Sequence, residues 1–396
     1  MALDWTSTGK RAALEGRPAA PPGPGLWMPA RPSERLREID TPALILDLDR
    51  CELNMSLLMT AVAGQPVRVR PHAKTHKCAE LARRQVAAGA AGVCVQKLGE
   101  AEAMLAGGID DVLITNEIVG ESKLRRLARV ARVYAPARLG VCVDRVEVAQ
   151  RLGSICQGEG AQLDVYVEID VGQNRCGVAD PDDAALVAGA VAAQPALRLR
   201  GLQAYAGLAQ HRRGVPERRR AAQAAAQRAA AARDALLAAG LPCETITGGG
   251  TGTLVYDLQS GVYNELQPGS YLFMDVDYAK NETDPDDPPF EHSLFVLATV
   301  ISMQGDRATL DAGLKSFSTD SGPAVPAFDG WRVRSVSDEH TVLMRDGTET
   351  PIKVGDKALL IPGHCDPTVN LHDWIVATRK GRVEALWPIE ARGRSY

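Results

Sequence analysis

One repeated unit constrains the fold of this chain more than any other feature: a short run of β-branched or aliphatic residues, then an alanine-rich stretch with apolar residues three and four positions apart. This unit is typical of a strand followed by a helix. Strands that are apolar nearly throughout indicate a parallel sheet covered on both faces. The eight runs that we interpret as strands are residues 43–49, 67–72, 92–96, 111–115, 139–144, 163–170, 199–205 and 245–248. They predict an α/β fold with a closed, TIM-like (β/α)8 barrel, and an open doubly wound sheet is the alternative.

Two other segments depart from the barrel pattern. Residues 1–40 are rich in proline, which excludes a long helix or a central strand, so we expect an extended arm. Residues 285–396 contain alternating runs separated by glycine and aspartate turns, a pattern typical of antiparallel strands. The sequence therefore predicts an arm over residues 1–40, a barrel domain over residues 41–284 and a mostly antiparallel β domain over residues 285–396.

The charge and the cysteine content exclude several classes of protein. The chain has 396 residues and a formal net charge of −4, which argues against a surface that binds nucleic acid. Its eight cysteines form no Cys-x-x-Cys pair, as expected of free thiols in a reducing compartment. No run of about 18 apolar residues and no signal-peptide pattern occurs in the sequence. We therefore expect a soluble, cytoplasmic protein with no nucleic acid or membrane partner.

In a closed barrel the chemistry lies at the carboxyl ends of the strands, so polar residues that end an apolar run are candidates. The second run leads into the segment RPHAKTHK at residues 70–77. Crowding by cationic neighbours should lower the pKa of Lys74, and a neutral lysine is the nucleophile that forms an imine. A basic surface loop that binds phosphate, or nothing, is the alternative.

A glycine-rich turn, TITGGGTGT at residues 245–253, follows the eighth run. The main-chain N–H groups of such a turn can approach an anion closely, and barrels commonly bind phosphate after their seventh and eighth strands. A second turn of small residues, QPGSY, lies at residues 267–271. Together the two turns predict a phosphate site.

Three further candidates follow the sixth and seventh runs. Arg175 lies among small residues, where its planar guanidinium could meet a phenolate or carboxylate oxygen. A surface ion pair with Glu168 or Asp170 is the alternative. Tyr205 and His211 place an aromatic ring and an imidazole at the same barrel mouth, although such a histidine is also often structural.

The β domain contains one candidate metal site, in the segment GHCDP at residues 363–367. In an extended backbone His364 and Asp366 would point to the same side and could share one ion. Two ligands are too few for a closed structural zinc site. The pair therefore suggests an open site for Mn²⁺, Mg²⁺ or Zn²⁺ with waters completing the coordination shell.

Nine segments of the chain carry a resemblance to a known family, and they are spread in order over nearly the whole chain after residue 40. They are DTPALILDLD (40–49), RPHAKTHK (70–77), QKLGEAE (96–102), VGQNRCGV (171–178), GLQAY (201–205), TGGGTG (247–252), LQPGSY (266–271), DAGLKS (311–316) and HCDPTVNLHD (364–373). In this order they resemble the D-threonine aldolase family and the related eukaryotic-type D-serine dehydratases, which are alanine-racemase-like, fold-type III pyridoxal 5′-phosphate enzymes.

The resemblance implies a homodimer that cleaves a D-3-hydroxy amino acid, for example D-threonine, to glycine and an aldehyde. It implies that Lys74 holds pyridoxal 5′-phosphate and that His211 takes the proton of the β-hydroxyl. It also implies a divalent metal beside that hydroxyl, held by His364 and Asp366, with Mn²⁺ expected before Mg²⁺ or Zn²⁺. The cofactor-binding residues are then Lys74, Gln96, Arg175, Tyr205, Thr247, Gly249, Gly250, Thr251, Ser270 and Tyr271.

Other activities of the same fold remain alternatives. A D-serine or 3-hydroxyaspartate dehydratase would need the same parts, but relatives of that type tend to have cysteine where Asp366 stands. A 3-hydroxyaspartate aldolase would need an additional cation in the pocket, which the sequence does not locate. A racemase requires a second base, usually a tyrosine of the β domain, and this domain has none before Tyr396. A non-catalytic pyridoxal phosphate-binding protein would be a barrel alone.

Overall fold

The protein forms two sheets in the structure, a computed structural model that describes residues 27–347 and 350–396. The strands are β1 (Ala43–Asp47), β2 (Arg68–Val69), β3 (Val93–Val95), β4 (Asp111–Glu117), β5 (Arg138–Val143), β6 (Leu163–Glu168), β7 (Leu197–Ala204), β8 (Thr245–Gly248), β9 (Glu265–Leu266), β10 (Leu294–Gln304), β11 (Arg307–Leu310), β12 (Val325–Pro326), β13 (Trp331–Val336), β14 (Thr341–Arg345), β15 (Lys357–Ile361), β16 (Trp374–Arg379) and β17 (Arg382–Pro388).

Most of the helices connect the strands of the first sheet, and the last one lies in the β domain. The helices are α1 (Leu48–Val62), α2 (Ala79–Ala87), α3 (Leu98–Ala106), α4 (Glu121–Val133), α5 (Val146–Glu159), α6 (Pro181–Ala192), α7 (Gly207–Gln210), α8 (Val215–Ala238), α9 (Leu254–Ser260), α10 (Val276–Ala279) and α11 (Cys365–Val369). None of the helices in the described ranges is both long and apolar enough to cross a membrane.

The first sheet is the predicted barrel. Its eight strands are parallel and follow the order β2, β9, β8, β7, β6, β5, β4, β3. An isolated parallel bridge joins His72 to Cys94, and the Cys94 N–H donates to the Pro71 carbonyl at 2.8 Å, so the last strand meets the first. The prediction of a closed barrel is therefore confirmed, and the open-sheet alternative is wrong.

One strand of that prediction is misplaced. The run at 43–49 contains β1, which pairs antiparallel with β10 and parallel with β16 in the second sheet. The eighth barrel strand is instead β9, which has only two residues. A strand buried on both faces looks the same in either sheet, and a two-residue strand carries no periodicity that could be recognised. The glycine-rich turn therefore follows the seventh barrel strand, and the turn at 267–271 follows the eighth.

The second sheet is antiparallel except where β1 meets β16, which confirms a mostly antiparallel β domain. Its strand order is β13, β14, β11, β10, β1, β16, β17, with β15 paired to β10 and β12 to β15. The described part of the arm, residues 27–40, lies along this sheet, where the Ser33 N–H donates to the Val383 carbonyl at 2.8 Å. The prolines at 18, 21, 22 and 24 lie outside the described residues.

The interior of the barrel is polar near the amino ends of its strands. There the buried Arg70 guanidinium binds Glu265 and Asp111, with N–O distances of 2.9 and 2.7 Å. Such bidentate pairs leave no unpaired charge in the core. All eight cysteines are free thiols, six of them buried. The candidate site lies at the opposite end of the barrel, where it is formed by residues at the carboxyl ends of the strands.

Candidate active site

A cavity of about 450 Å³ lies at the carboxyl ends of the barrel strands. It brings together five of the residues predicted from the sequence, Lys74, Gln96, Arg175, Tyr205 and His211. The other lining residues are His72, Thr115, Gln173, Gln203, Gly207, Leu208 and Gln267. Side chains that are far apart in the sequence therefore share one pocket, where the barrel fold places chemistry.

Lys74 lies in a short 3-10 turn, Ala73–Thr75, directly after β2, and its ammonium binds the Asp366 carboxylate from the β domain. Burial acts to lower the Lys74 pKa, but the Asp366 carboxylate outweighs burial and raises it. The expectation of a lowered pKa from crowded cations is therefore wrong for this structure. A carboxylate from the second sheet compensates the lysine charge, and the local sequence does not reveal it.

The neighbouring cations do not crowd Lys74 either. Burial lowers the pKa of His72 well below its ordinary value and that of His76 to about 4, so both imidazoles are neutral near pH 7. Lys77 is paired with the buried Glu100. The RPHAKTHK segment thus places a single ammonium in the cavity.

His72 forms part of the cavity wall through a polar network. Its Nδ1 accepts the Lys74 N–H at 3.4 Å, and its Nε2 lies 3.0 Å from both Thr115 Oγ1 and the Gln96 amide nitrogen. The Gln96 amide donates to the same hydroxyl at 3.0 Å. These contacts hold Gln96, a predicted ring-side contact, at the cavity.

The glycine-rich turn after β8 leaves no space for a Cβ at Gly249 or Gly250. Gly249 has a positive φ of +66°, and a Cβ at this position would lie 2.5 Å from Asp257 Oδ2. A Cβ on Gly250 would lie 2.5 Å from Gln210 Oε1. Larger residues would therefore displace the turn. The Tyr271 N–H donates to Thr251 Oγ1 at 2.9 Å, which joins the two turns that the sequence predicts to bind phosphate.

The residues predicted to bind phosphate do not line this cavity. Thr247 is fully buried in β8, where its hydroxyl accepts from the cavity residue Gln267 at 2.7 Å. The Tyr271 ring lies in the core, and its hydroxyl accepts from Gln85 at 3.0 Å. Only the main chain of Tyr271 therefore faces Thr251. Ser270 is buried at the start of a 3-10 turn, Ser270–Leu272.

His211 lies at the carboxyl end of α7 with 46% of its side chain exposed. Its Nδ1 lies 2.7 Å from Asp277 Oδ2. Arg213 binds the other Asp277 oxygen, and the Tyr278 ring centre is 5.2 Å from the imidazole. Asp277 and Tyr278 of α10 thus contact this histidine, and Arg213 pairs with Asp277.

Arg175 reaches the cavity from the loop after β6 and is about half exposed. Its guanidinium is 3.8 Å from the nearest Glu168 oxygen, a loose contact that leaves its donors available. Burial, followed by the neighbouring Glu117 carboxylate, raises the pKa of Glu168 to about 9. A protonated Glu168 does not neutralise Arg175, so the alternative of a surface ion pair is not favoured.

His364 and Asp366 lie on the β domain, where the backbone is extended at His364, as predicted, but helical at Asp366. His364 caps α11, and Asp366 lies in its first turn. The His364 Nδ1 lies 2.7 Å from Asp320 Oδ2, and Asp366 binds Lys74 and Thr75. Burial acts to raise the Asp366 pKa, but the Lys74 ammonium lowers it well below its ordinary value. No group of three or more metal-ligating side chains occurs in the described ranges.

Sequence analysis missed several cavity residues. Gln203 and Gln267 exchange amide hydrogen bonds of 3.1 and 2.8 Å in the cavity wall. Both lie inside the conspicuous segments GLQAY and LQPGSY, and Thr115 ends an apolar run, so the strand-end rule could have found all three. Asp277 had no comparable signal, because only the tertiary fold brings α10 beside His211.

Two family models match the chain: the alanine racemase N-terminal domain over residues 46–277 and the putative serine dehydratase domain over residues 293–378. The chain is 47% identical to a D-threonine aldolase from Arthrobacter sp. over 378 residues, covering 94% of this chain and 98% of that protein. It is 43% identical over 380 residues to a 3-hydroxy-D-aspartate aldolase from Paracoccus denitrificans (strain Pd 1222), covering 94% and 97%.

A solved structure has the same architecture. The crystal structure of D-threonine aldolase from Filomicrobium marinum matches with a TM-score of 0.90 at 46% identity, covering 93% of this chain and 100% of that one. The likeness spans both the barrel and the β domain.

Proposed function

Because this chain belongs to the D-threonine aldolase family of alanine-racemase-like enzymes, we propose that it cleaves D-3-hydroxy amino acids between Cα and Cβ to glycine and an aldehyde. The observation that carries the proposal is the shared cavity, in which the Lys74 amine and the His211 imidazole face the same space. An amine to hold a carbonyl cofactor and a base to take a hydroxyl proton are the two groups that this cleavage needs.

The residues present fit pyridoxal 5′-phosphate. The turn at Gly249 and Gly250 has no room for side chains and can present its main chain to a phosphate, as anion-binding turns do. Lys74 would hold the cofactor aldehyde, and Arg175 would meet a ring oxygen with its free donors. When bound, the cofactor supplies an electron sink for the pair released at Cα.

The chain's own residues supply binding and proton transfer. His211 lies at the exposed edge of the cavity, where its free ring nitrogen can accept the proton of the β-hydroxyl. The neutral His72 adds no second charge beside Lys74. Gln96 and Tyr205 narrow the cavity around the place where the cofactor ring would lie.

We propose His364 and Asp366 as ligands of one divalent cation, Mn²⁺ before Mg²⁺ or Zn²⁺. An imidazole and a carboxylate suit all three ions, and two protein ligands leave positions for water and substrate. The Asp366 carboxylate already binds a cation, the Lys74 ammonium, which supports its ability to hold positive charge at this place. A divalent cation there would lower the pKa of the substrate hydroxyl.

A dehydratase acting on D-serine or 3-hydroxyaspartate is the nearest competitor. It would use the same lysine and the same metal loop. The carboxylate at position 366, where dehydratases of this type tend to have cysteine, favours the aldolase. We also propose a homodimer in the cytoplasm, since the buried free thiols suit a reducing compartment.

The test incubates the purified protein with pyridoxal 5′-phosphate, Mn²⁺ and D-threonine, with L-threonine and D-serine as parallel substrates. Chromatography should detect glycine and acetaldehyde from the D-threonine reaction alone. Lys74→Ala should abolish both the cofactor absorbance and the cleavage. A 2-oxo acid with ammonia would instead identify a dehydratase.

A further inference from the structure

We propose that Asp277 is a positioning residue that determines which ring nitrogen of His211 faces the substrate. The inference rests on the proposed function, in which His211 accepts the hydroxyl proton. It concerns a residue of α10, outside the segments in which sequence analysis found candidates.

The proton assignment follows from the contact itself. An ionised carboxylate can only accept hydrogen bonds, so the contact of 2.7 Å between Asp277 Oδ2 and one His211 nitrogen favours the ring form with the proton on that nitrogen. This nitrogen is Nδ1. The neutral ring then has its lone pair on Nε2, which is the form a base requires.

Asp277 is itself held in place. Its side chain is 11% exposed, and its own N–H donates to the Gly363 carbonyl at 3.2 Å. Arg213 binds both the Asp277 carboxylate and the Asp277 carbonyl, the latter at 2.6 Å, and also donates to Asn281 at 2.8 Å. Arg213 therefore fixes the position of the carboxylate that faces the imidazole Nδ1.

The backbone under His211 is fixed by a second set of contacts. Gln210 is fully buried, accepts the Gly252 N–H at 2.9 Å and donates to Thr253 Oγ1 at 2.8 Å. The segment that carries His211 is therefore attached to the glycine-rich turn, while Asp277 sets the rotation and the tautomer of the ring.

Two substitutions at Asp277 distinguish this role from a structural one. Asn keeps the shape of Asp, but its amide can donate to Nδ1 and so move the ring proton to Nε2. Ala removes the contact and leaves both tautomers accessible. We expect kcat for D-threonine to fall on the order of 100-fold or more in Asp277→Asn, with KM within about threefold of the wild type. Asp277→Ala should retain at least as much activity as Asp277→Asn.

A purely structural role predicts the opposite order, because Asn preserves packing that Ala removes. An Asn variant with near wild-type kcat, or one clearly more active than the Ala variant, would overturn the proposal. Asp284→Asn is the matched control. Asp284 is also buried and paired with an arginine, Arg219, but it binds the Tyr256 hydroxyl and no histidine. Its kcat should stay within about twofold of the wild type.

A double-mutant cycle gives a second test. If Asp277 acts through His211, then the His211→Ala, Asp277→Asn double variant should be no slower than His211→Ala alone. If the kcat reductions of the two single variants multiply in the double variant, Asp277 acts independently of the imidazole. Cofactor absorbance and the melting temperature of each variant show whether it is folded and loaded.

A measurement without an Asp277 variant keeps the inference testable if those variants do not fold or if the wild type cleaves no D-threonine. In ¹⁵N-histidine-labelled protein loaded with the cofactor, with His211→Ala used to assign the signals, the nitrogen shifts should show the proton of neutral His211 on Nδ1. A proton on Nε2 would overturn the inference. An inactive wild type with the Nδ1 tautomer would refute only the proposed aldol cleavage.

Discussion

At the level of single residues, the protonation states in the barrel mouth depend on burial and on one partner each. Lys74 keeps its proton because Asp366 lies beside it, whereas His72 loses its proton because burial and the Lys74 charge outweigh the Asp366 carboxylate. Glu168 ends β6 with only 5% exposure, and its Oε2 has no hydrogen-bond partner in the described part of the chain. These protonation states differ from those that the neighbouring residues in the sequence would suggest.

Glu168→Gln should make the stability of the protein less dependent on pH. The pKa of Glu168 is raised from 4.5 to about 9, so between these values the folded chain holds a proton that the unfolded chain has released. The wild-type free energy of unfolding should therefore fall as pH rises from 6 to 9, by at most about 1.4 kcal/mol per pH unit from this group. Glutamine is neutral at every pH, so the variant does not lose this part of its free energy of unfolding.

Urea unfolding of both proteins at pH 6 and pH 9 checks the prediction. The stability difference between Glu168→Gln and the wild type should move in favour of the variant at pH 9. Glu147→Gln, at an exposed position of α5, serves as the control and should follow the wild type. An unchanged difference at the two pH values would contradict the assignment of a protonated Glu168.

At the level of elements, the turn between β8 and α9 requires glycine for two different reasons. Gly249 needs its left-handed backbone, while Gly250 and Gly252 are small because Gln210 packs against them. Asp257 of α9 accepts the Gly250 N–H at 3.3 Å and the Thr253 hydroxyl at 2.5 Å. Burial raises the pKa of this carboxyl to about 7.

Asp257→Asn should weaken the pH dependence of cofactor binding. A phosphate held by the turn would lie near the Asp257 carboxyl and disfavour its ionised form, so binding above pH 7 must take up a proton. From pH 6.5 to 8.5 the wild-type Kd for pyridoxal 5′-phosphate should rise about tenfold more than the Kd of the variant. Below the pKa of about 7 the two proteins should behave alike.

Equilibrium dialysis at the two pH values measures both constants. Asp234→Asn, at an exposed position of α8, is the control and should match the wild type. Equal pH dependence in wild type and Asp257→Asn would show that the phosphate lies away from this turn.

At the level of the whole molecule, the site is assembled from both sheets. The barrel contributes Lys74 and His211, and α11 of the β domain contributes Asp366, which pairs with Lys74. The β1 strand joins the start of the chain to the second sheet by pairing with β10 and β16. The chain therefore contributes a strand to the second sheet before it forms the barrel. Neither domain holds all the proposed reacting groups.

Removal of divalent metal should stop cleavage and leave the cofactor bound. The proposed ligands His364 and Asp366 lie on α11, separate from the glycine-rich turn that would hold the phosphate. After treatment with a chelator, turnover of D-threonine should fall by more than about tenfold while cofactor absorbance remains, and Mn²⁺ should restore the rate.

Two variants refine this measurement. Asp366→Asn should need far more Mn²⁺ for the same rate, whereas Asp373→Asn, at an exposed position of the same segment, should need no more than the wild type. Full turnover after thorough metal removal would contradict a metal role in the reaction.

The sequence by itself determined the barrel, the β domain and five of the twelve residues that line the cavity. Strand periodicity and strand-end polarity are local properties, and they located Lys74, Arg175, Tyr205 and His211. Only the tertiary structure decided that β1 belongs to the second sheet, that Asp366 raises the Lys74 pKa and that Asp277 binds His211. Those facts depend on which buried surfaces meet and which charges become neighbours, and contacts between distant segments leave no periodic signal in the chain.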